Sequence, residues 1–524
     1  MIFRSPLPDV EIPDVSLTSL VLGEAARFGD RPALVDGVSG RVTTYADLVR
    51  DARRAASGFA RRGLTKGGVV AIFSPNLPEY IVAFYAAASL GAIVTPVNPL
   101  YTVEEARRQF ADAGAKFVVT VPQLLGAARE AAKGTRVEEL FVFGEAEGAT
   151  PFASLLEGDG EAPEVEIDPR EDLVALPYSS GTTGVCKGVM LTHRNLVANL
   201  LQIRASGHEL SDDTLVCVLP LFHIYGLVAI ANLALLCGAK VVMLPRFDFA
   251  QLLGVMQEHR VTFAHLVPPV ILALAKQPAV ADYDLSHLRT IFSGAAPLGA
   301  ELSRACEARL GCEVIQGYGM TEASPATHIT APGRARAGSV GTCVPNMECK
   351  LVSVETGEEV AGPGKRGEVC VRGPQVMKGY LNCPEATAQT VDPEGWLHTG
   401  DVGYADEDGY FYIVDRAKEL IKYKAFQVAP AELEALLLTH PSIADAAVVP
   451  SPDEEAGEVP KAFVIVREGH GLTEREVIDF VASHVAPHKK VRRVEFVPQI
   501  PKSPSGKILR RLLVAQERER EAQK

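Results

Sequence analysis

The sequence predicts an α/β protein: a large N-terminal domain of mostly parallel, helix-covered sheets, a β-rich subdomain, and a small α+β C-terminal domain. Three observations support this prediction. Helical patterns alternate with short apolar runs through much of the 524 residues. After about residue 338 the pattern changes to short strands separated by Gly/Pro turns. The end of the chain then alternates strands and helices over a length of about a hundred residues, which suits a compact domain.

The helix–strand alternation begins at residue 44. The segment "TYADLVRDARRAASGFARRG" has the periodicity of an amphipathic helix, and "GVVAIFSPN" is typical of a buried strand. In "YTVEEARRQFADAGAKFVVT", a capping box of Thr102 and Glu105 predicts the start of a helix, and a strand follows. The segment "FAQLLGVMQEHRVTFAHLVPP" has the same order. Strand–helix–strand alternation indicates a largely parallel sheet with helices on both faces.

The domain boundary is expected where the β-rich subdomain ends. The segment "CKLVSVETGEEVAGPGKRGEVCVRGP" is typical of short antiparallel strands, and the later strand "YFYIV" ends just before Asp415. Pro430 suits the first turn of the helix that follows. We therefore predict an N-terminal domain of residues 1–415 and a C-terminal domain of residues 416–524, with the boundary near residues 415–419.

The charge balance argues against one function class. The chain has 52 Lys and Arg against 65 Asp and Glu, a formal net charge of -13. Such an acidic chain argues against a nucleic-acid-binding protein, whose surface is typically basic and clustered. A local basic pocket for a phosphate-rich ligand is compatible with this composition.

Cysteine usage and hydropathy predict a cytoplasmic protein without a membrane span. The nine cysteines form no CxxC pair, and the pairs Cys306/Cys312 and Cys343/Cys349 lack zinc-ligand spacing. A reduced cytosol is the simplest setting for them. The most apolar stretch, residues 226–244, is interrupted by polar residues, so it predicts a buried helix followed by a strand. The sequence leaves the oligomeric state unknown.

A stretch rich in glycine and hydroxyl groups, "YSSGTTGVCKGVML", begins at Tyr178 and is typical of phosphate binding. A Walker A loop needs Gly-Lys-Ser/Thr at the start of a helix, whereas here Cys186 precedes Lys187 and an apolar run follows. We expect a loop between two strands whose backbone N–H groups surround an anion. A flexible surface turn is the structural alternative. The residues of this predicted phosphate loop are Ser179, Ser180, Gly181, Thr182, Thr183, Gly184 and Lys187.

Four further motifs contain aromatic, charged or hydroxyl-bearing residues, and three of the four also contain glycine. The motif "QGYGMTE" joins a glycine turn, an aromatic ring and a carboxylate, and "GWLHTGD" ends in Asp401. The motif "DRAKELIKYK" is basic, and "PKSPSGKILRR" presents Lys507 after a Ser/Pro/Gly turn. Each has a structural explanation: Tyr318 as a core residue, Asp401 as a turn residue, and the lysines as a solvated face. The occurrence of all five motifs in this order favours a functional explanation.

The order of the five motifs resembles that of the adenylate-forming superfamily, which comprises acyl- and aryl-CoA synthetases, peptide-synthetase adenylation domains and beetle luciferases. The resemblance extends over nearly the whole chain, from "TYADL" to "SGKILRR". Within it, "IFRSPLP", "VLPLFHIYGL", "SGAAPLG" and "QGYGMTEASP" are most similar to the cinnamate/4-coumarate–CoA ligases.

The resemblance implies a two-step ligase reaction. A carboxylate attacks the α-phosphorus of ATP, pyrophosphate leaves, and the thiol of coenzyme A then displaces AMP from the acyl-adenylate. An enzyme of this type aligns the reactants and stabilises charge, so it needs no nucleophile of its own. The implied ligands are ATP, Mg²⁺, coenzyme A and a small aryl carboxylate. Because the two steps need different groups in one place, the resemblance also implies a mobile C-terminal domain with a hinge near residues 415–419.

Matching positions carry the nucleotide contacts of the superfamily onto this chain. The phosphate loop would hold the β- and γ-phosphates, Thr321 would contact the α-phosphate, and Glu322 would hold Mg²⁺. Tyr318 would stack on the adenine, and Asp401 would accept hydrogen bonds from the ribose hydroxyls. Lys507, as a catalytic residue, would bridge the α-phosphate and the attacking carboxylate. The other implied contacts of the nucleotide are Ala295, Gln316, Gly317, Arg416, Lys418 and Gln427.

The resemblance also implies sites for the acid and for coenzyme A. His223 would guard the acyl site, with a core histidine as its structural alternative, and Lys422 would face the site after the domain rotation. Arg246, Lys424 and Ala425 would contact coenzyme A. Small residues in the acyl pocket would leave a flat slot for an aryl ring, which favours cinnamate or 4-hydroxycinnamate. The implied acyl pocket consists of Tyr225, Ala229, Gly294, Gly319, Pro325 and Ala326.

Two positions depart from the pattern of the superfamily. Cys186 stands where proline is usual, and we expect little effect because Lys187 and the neighbouring backbone carry the contact. Ala425 stands where glycine is usual, and its methyl group is expected to slow thioester formation. The alternatives at this point are a medium-chain fatty acyl-CoA synthetase, a luciferase-like adenylate-forming enzyme, and a nucleotide-binding protein without turnover.

Overall fold

The structure is a computed structural model that describes residues 1–158, 160–179, 186–424, 426–453, 455–503 and 506–522. Within these ranges the strands form four sheets. Two sheets are large and mostly parallel, the third is antiparallel, and the fourth lies in the C-terminal part of the chain. This architecture confirms the predicted α/β class with a β-rich subdomain.

The first large sheet has an apolar, parallel centre. Its central strand, Val69–Phe73, is fully buried and pairs in parallel with Ile93–Val97 on one side and Ala115–Thr120 on the other. Burial on both faces explains why these strands are continuous apolar runs instead of alternating ones. In spatial order the strands are Tyr178–Ser179, Lys187–Thr192, Leu173–Ala175, Ile93–Val97, Val69–Phe73, Ala115–Thr120, Glu139–Val142 and Thr150–Pro151, with Gly379–Tyr380 paired to Lys187–Thr192.

The second large sheet brings the segments "SGAAPLG" and "QGYGMTE" to one edge. Strands Phe263–Leu266, Thr290–Ser293 and Glu313–Gly319 are parallel neighbours, so their carboxyl ends lie side by side. This is the edge of an α/β sheet at which ligands usually bind. In spatial order the strands are Thr342–Cys343, Ala326–Ile329, Glu313–Gly319, Thr290–Ser293, Phe263–Leu266, Thr214–Cys217, Lys240–Met243, Pro32–Asp36 and Val42–Thr44.

The two smaller sheets follow the large ones along the chain. The β-rich sheet is antiparallel and includes the N-terminal strand as one edge; its strands are Ile2–Arg4, Glu348–Val352, Gly367–Arg372, Leu397–Ala405 and Phe411–Arg416. The C-terminal sheet has its own apolar core, separate from the large core of the preceding residues. Its strands are Phe426–Val428, Ile421–Tyr423, Gly457–Val466 and Ile443–Asp453, with Arg493–Phe496 paired to Gly457–Val466.

The helices begin largely where the sequence signals indicate. Thr102 and Glu105 form the predicted capping box, in which each side chain bonds the backbone of the other. Pro430 occupies the first turn of its helix. The α-helices are Leu17–Ala25, Tyr45–Arg61, Pro78–Ser89, Val103–Ala113, Leu125–Ala132, His193–Ala205, Leu233–Cys237, Phe249–Glu258, Pro268–Lys276, Ala300–Leu310, Pro384–Thr390, Pro430–Leu437, Glu474–His484 and Arg510–Ala522, and Tyr225–Asn232 is π-helical.

The apolar stretch of residues 226–244 is a core element, as predicted. It forms the π-helical segment Tyr225–Asn232, the helix Leu233–Cys237 and the strand Lys240–Met243, and nearly all of it is buried. Among the residues that the structure describes, no helix has both the length and the apolar character that a membrane crossing requires.

Arg510 connects the last helix to the expected domain boundary. Its guanidinium group is 2.5 Å from a carboxylate oxygen of Glu434, 3.8 Å from Asp415, and bonded to Glu419. Burial raises the pKa of Asp415 and of Glu434, and the charge of Arg510 opposes that rise. Glu434 also accepts a hydrogen bond from the backbone N–H of Val448. Arg510 therefore compensates buried negative charge where two segments meet.

The substitution Arg510→Met is expected to destabilise the C-terminal part of the chain. Removing one partner of a buried ion pair leaves the carboxylates without compensation, which costs about 3–5 kcal/mol. Urea unfolding would measure the decrease in the free energy of unfolding. Hydrogen exchange of the strand Ile443–Asp453 should become faster. Arg520→Met is the matched control, because Arg520 pairs with Glu495 at the exposed end of the same helix. Equal effects of the two substitutions would contradict the prediction.

Candidate active site

A cavity of about 620 Å³ lies between the second large sheet and the C-terminal part of the chain. It is lined by residues from four of the five sequence motifs or their neighbours, which are far apart in the chain. The predicted site residues in its walls are Ala295, Gly317, Tyr318, Asp401, Arg416 and Lys507. We call this space the large cavity.

A buried carboxylate lies on one wall of the large cavity. The hydroxyl of Tyr318 donates to Asp401 Oδ2 over 2.6 Å, and Arg416 Nε is 3.5 Å from Asp401 Oδ1. Asp401 and Arg416 are opposite each other on the antiparallel strands Leu397–Ala405 and Phe411–Arg416. Burial raises the pKa of Asp401, while Arg416 and the Tyr318 hydroxyl act in the opposite direction. Acceptor oxygens on a cavity wall suit hydroxyl groups of a ligand.

Lys507 lines the large cavity, and its backbone pairs with Ser503. Its backbone N–H donates to Ser503 Oγ over 3.1 Å, and its carbonyl accepts from the N–H of Ser503 over 2.8 Å. Gly506 lies so close to Val267 that an added Cβ would be 3.1 Å from that side chain. Burial, together with the charge of Arg416, lowers the pKa of Lys507 to about 8. The amine is therefore mostly protonated at neutral pH and can neutralise negative charge in the cavity.

A second group of predicted residues surrounds Glu322. Ser179 Oγ and the Tyr380 hydroxyl each donate to Glu322 Oε1 over 2.8 Å, and Glu322 is only 4% exposed. Lys187 Nζ lies 5.2 Å from the centre of the Tyr380 ring. Thr321 begins the short helical turn Thr321–Ala323 that holds Glu322. Tyr380 was missed in the sequence because only pairing of Gly379–Tyr380 with Lys187–Thr192 brings it here.

The phosphate loop connects two antiparallel strands, as predicted. Ser179 and Lys187 are paired across Tyr178–Ser179 and Lys187–Thr192. Cys186 is exposed, and its sulfur is 3.8 Å from the hydroxyl of Tyr101. The remaining loop residues of the prediction lie outside the described residues: Ser180, Gly181, Thr182, Thr183 and Gly184.

A smaller cavity, of about 70 Å³, contains the whole implied acyl pocket. Its walls include Tyr225, Ala229, Gly294, Gly319, Pro325 and Ala326, together with His223. Ala295 and residues 317–320 line both cavities, so the two spaces are adjacent. The walls also contain residues that the sequence did not indicate, namely His208, Phe263, His265 and Phe292. Phe263, His265 and Phe292 lie on adjacent parallel strands of the second large sheet. The ring of His208 packs against Phe263 and Phe292.

Glycine is required at two positions of the smaller cavity. A Cβ at Gly294 would be 2.8 Å from the ring of Tyr225, and a Cβ at Gly319 would be 1.9 Å from the carbonyl oxygen of Pro325. Ala295 has a φ of 68°, a conformation that is strained for a residue with a side chain. The side chain of Gln316 stabilises this loop, since its amide both donates to and accepts from the backbone of Leu298 at 3.3 Å.

His223 lies near the junction of the two cavities. Its Nδ1 accepts from the backbone N–H of Tyr225 over 3.4 Å. Burial lowers the pKa of His223 to about 4, and the positive charge of Lys507 acts in the same direction. The imidazole is therefore neutral at physiological pH, so it can contact a carboxylate group without competing with Lys507 for the role of cation.

The described residues implied for coenzyme A, Arg246 and Lys424, do not line either cavity in this structure, and neither do Lys418, Lys422 and Gln427 of the predicted site. Lys422 is exposed on Ile421–Tyr423, Lys424 Nζ pairs with Glu455 over 2.8 Å, and Gln427 Nε2 is 3.4 Å from Glu355. Two further predicted residues, Lys418 and Arg246, are also exposed. Ala425 lies outside the described residues. Of the C-terminal part, Lys507 therefore lines the large cavity, whereas the strand pair Ile421–Tyr423 and Phe426–Val428 lies outside both cavities.

Sulfur and nitrogen ligands meet at two places in the described chain that sequence spacing did not indicate. His328, Cys343 and Cys349 are buried with ligand atoms within 4.8 Å of one another, and so are the ligand atoms of the group Glu368, Cys370 and His398. Each group offers three ligands. Structural zinc sites usually have four protein ligands. Of the six residues, His328 lines the smaller cavity and the other five line neither cavity.

Comparison with known proteins agrees with this geometry. A sequence model of the AMP-binding enzyme family matches residues 23–381, and a model of the AMP-binding enzyme C-terminal domain matches residues 432–507. A 4-coumarate–CoA ligase 2 of Solanum tuberosum is 48% identical to this chain, over 98% of this chain and 96% of its own length. A 4-coumarate–CoA ligase of Vanilla planifolia is 46% identical, with the same coverage.

Solved structures with this fold are also found. The anthranilate CoA ligase AuaEII in complex with anthranoyl-AMP has a TM-score of 0.90 and 26% identity, over 97% of this chain and 98% of that chain. ATP-bound MatB from Rhodopseudomonas palustris has a TM-score of 0.85 and 31% identity, over 94% and 98%. The chain therefore belongs to the AMP-binding enzyme family, within the adenylate-forming superfamily, and it is close in sequence to the 4-coumarate–CoA ligases.

Proposed function

We propose that this protein is an ATP-dependent acid–thiol ligase that joins 4-coumarate or cinnamate to coenzyme A through an acyl-adenylate. The observation that carries the proposal is the adjacency of the two cavities. A narrow slot with glycines in its wall opens beside a larger space that contains Asp401 and Lys507. A carboxylate in the slot would therefore lie next to a nucleotide in the large cavity. The 4-coumarate–CoA ligases at 46–48% identity support the same assignment of substrate.

In the first step, a carboxylate oxygen forms a bond to the α-phosphorus of ATP. The bond from the α-phosphorus to the bridging oxygen breaks, and pyrophosphate leaves with the electron pair. The step needs alignment and compensation of charge, both of which positioned groups supply. Lys507 provides a positive charge in the large cavity, and the neutral His223 borders the acyl slot.

The wall of the large cavity would bind the nucleoside. Asp401 would accept hydrogen bonds from the ribose hydroxyls, with Arg416 beside it. The Tyr318 ring would stack on the adenine, while its hydroxyl keeps the bond to Asp401. Ala295 and Gly317 would face the base from the adjacent strand ends.

Glu322 is the residue that would hold Mg²⁺. Glu322 is buried, and the hydroxyl groups of Ser179 and Tyr380 donate to it. Because these two donors are neutral, they do not compensate the negative charge of a carboxylate. Carboxylate oxygen is a preferred ligand of this hard cation. A bound Mg²⁺ ion supplies compensation of phosphate charge. Lys187 lies on the same side, over the ring of Tyr380, where it would contact the departing pyrophosphate.

In the second step, the sulfur of coenzyme A forms a bond to the acyl carbon. The bond from that carbon to the phosphate oxygen breaks, AMP leaves, and the thiol proton is lost. Lys507 lines the large cavity beside the acyl slot in this structure. To make room for the thiol, the C-terminal domain, residues 416–524, would rotate about residues 415–419. Rotation would bring the exposed Lys422, Lys424 and Gln427 to the site. Arg246, exposed on the N-terminal part, would contact the nucleotide part of coenzyme A.

A panel of acids tests the proposed function. We expect thioester formation with 4-coumarate and cinnamate in the presence of ATP, Mg²⁺ and coenzyme A, and much slower formation with octanoate. Absorbance of the conjugated thioester and release of pyrophosphate would follow the two steps separately. A clear preference for octanoate would contradict the aryl substrate, and pyrophosphate release without thioester would contradict the ligase.

Raising the pH is expected to slow adenylate formation. The pKa of Lys507 is lowered to about 8, so its charge is present below pH 8 and is lost above it. The value of kcat/KM for ATP–pyrophosphate exchange should therefore fall about tenfold per pH unit in the alkaline range. Lys507→Arg is the control, because a guanidinium group stays protonated throughout. The same alkaline decline in wild type and Lys507→Arg would rule out Lys507 as its origin.

The substitution Gly294→Ala is expected to close the acyl slot selectively. The new methyl group would lie 2.8 Å from the Tyr225 ring, so this wall of the acyl slot must shift to accommodate it. We expect kcat/KM for 4-coumarate to fall roughly 10- to 200-fold, the range for one methyl group in a tight pocket, with KM for ATP unchanged. Gly254→Ala is the matched control, since nothing lies within 4 Å of its added Cβ. Unchanged kcat/KM for Gly294→Ala would contradict this prediction.

A further inference from the structure

The acyl cavity contains a histidine whose role the family assignment leaves open. His265 lies on the strand Phe263–Leu266 and is buried in the cavity wall. Its Nδ1 is 3.1 Å from the hydroxyl of Tyr225. Its Nε2 is buried and has no hydrogen-bond partner among the described residues. Buried polar atoms without a partner are rare because they lose their hydration without compensation, so this one calls for a functional explanation.

The position of Tyr225 indicates at which end of the cavity His265 lies. The backbone N–H of Tyr225 donates to His223, the residue whose pKa responds to the charge of Lys507. The Tyr225 hydroxyl, at the other end of the same residue, contacts His265 and lies 3.4 Å from the carbonyl oxygen of Phe292. His265 is therefore separated from the Lys507 end of the slot by the length of one tyrosine side chain. An acid with its carboxylate at Lys507 would direct the far side of its ring towards His265.

The surroundings of His265 offer little else that is polar to a substrate. The rings of Phe263 and Phe292 have their centres 5.0 Å and 5.1 Å from the imidazole, and Ala229 contributes only a methyl group. His208 is a second histidine of the wall, but its Nε2 already contacts the carbonyl oxygen of Thr330 at 3.2 Å. His328 is a third histidine of the wall, and its ring nitrogens contact Thr327 Oγ1 and Cys343 Sγ. The orphan nitrogen of His265 is thus a distinctive polar group in a largely aromatic part of the wall.

Either tautomer of a neutral imidazole at this place can form a hydrogen bond with a phenol. Burial lowers the pKa of His265 to about 3, so the ring carries one proton at neutral pH. If Nδ1 donates to the Tyr225 oxygen, Nε2 accepts; if the Tyr225 hydroxyl donates to Nδ1, Nε2 donates. A phenol hydroxyl is both donor and acceptor, so it satisfies Nε2 in both cases, whereas a hydrogen atom or a methyl group does not.

We propose that His265 recognises the ring 4-hydroxyl group of the acid through Nε2 and makes the enzyme selective for 4-hydroxycinnamates over acids without a polar group at that position. This inference rests on the proposed function, because it assumes an aryl acid in the slot. It assigns a specificity-determining role to a residue in the wall of the smaller cavity. Selectivity arises because an acid without the hydroxyl leaves the buried nitrogen unpaired in the complex.

The test compares two acids of nearly the same shape, 4-coumarate and 4-methylcinnamate, by ATP–pyrophosphate exchange. We expect wild type to have a kcat/KM for 4-coumarate that is at least about tenfold higher than for 4-methylcinnamate, the effect of one buried hydrogen bond. The substitution His265→Leu should remove this preference by lowering the value for 4-coumarate and leaving the value for 4-methylcinnamate nearly unchanged. His265→Gln, which keeps a donor and an acceptor, should retain part of the preference.

Phe263→Leu is the matched control, because it alters the same strand and the same wall without removing a polar atom. It should change kcat/KM for both acids by the same factor. Exchange activity with 4-methylcinnamate, together with the thermal unfolding midpoint, reports whether each variant is folded. If His265→Leu and wild type have the same ratio of the two acids, the inference is wrong and the proposed function stands. If wild type supports exchange with neither acid, the proposed function itself fails.

Discussion

The active site depends on one buried carboxylate, Asp401, which is held by groups from separate parts of the chain. Tyr318, at the end of a strand of the second large sheet, donates to it, and Arg416 faces it from the β-rich sheet. Lys507, from the C-terminal part, contributes a positive charge. Burying a carboxylate without compensating groups costs free energy. Asp401 is therefore most stable when the second large sheet, the β-rich sheet and the C-terminal part meet around it. The large cavity lies at this meeting point.

The same arrangement balances charge between the two cavities. Burial, together with the nearby charge of Arg416, lowers the pKa of Lys507 to about 8, so the amine is charged at neutral pH but loses its proton more readily than an exposed lysine. Burial keeps His223 neutral by lowering its pKa, and the charge of Lys507 acts in the same direction. The large cavity is therefore polar and charged, whereas the slot beside it has neutral, mostly apolar walls. This separation suits a ligand with a charged head and an aromatic body.

Local signals in the sequence were sufficient for much of the architecture. Thr102 and Glu105 began a helix, the run of residues 226–244 became a buried helix and strand, and the predicted phosphate loop stood between two strands as expected. Such features depend on neighbouring residues or on periodicity, both of which a single chain displays. The roles of Lys422, Arg246 and the other residues implied for coenzyme A stay predictions, since they depend on an arrangement of the two domains other than this one.

The sequence by itself determined the α/β class, the five motifs and their resemblance to adenylate-forming enzymes, because these rest on residue types and spacing along the chain. Only the tertiary structure decided that Tyr380 donates to Glu322, that Arg510 compensates the buried acids Asp415 and Glu434, and that His265 lies in the wall of the acyl slot with an unpaired nitrogen. The physical reason is that hydrogen bonding and charge compensation act over a few ångströms of space. Residues separated by many positions meet there only after the sheets have formed.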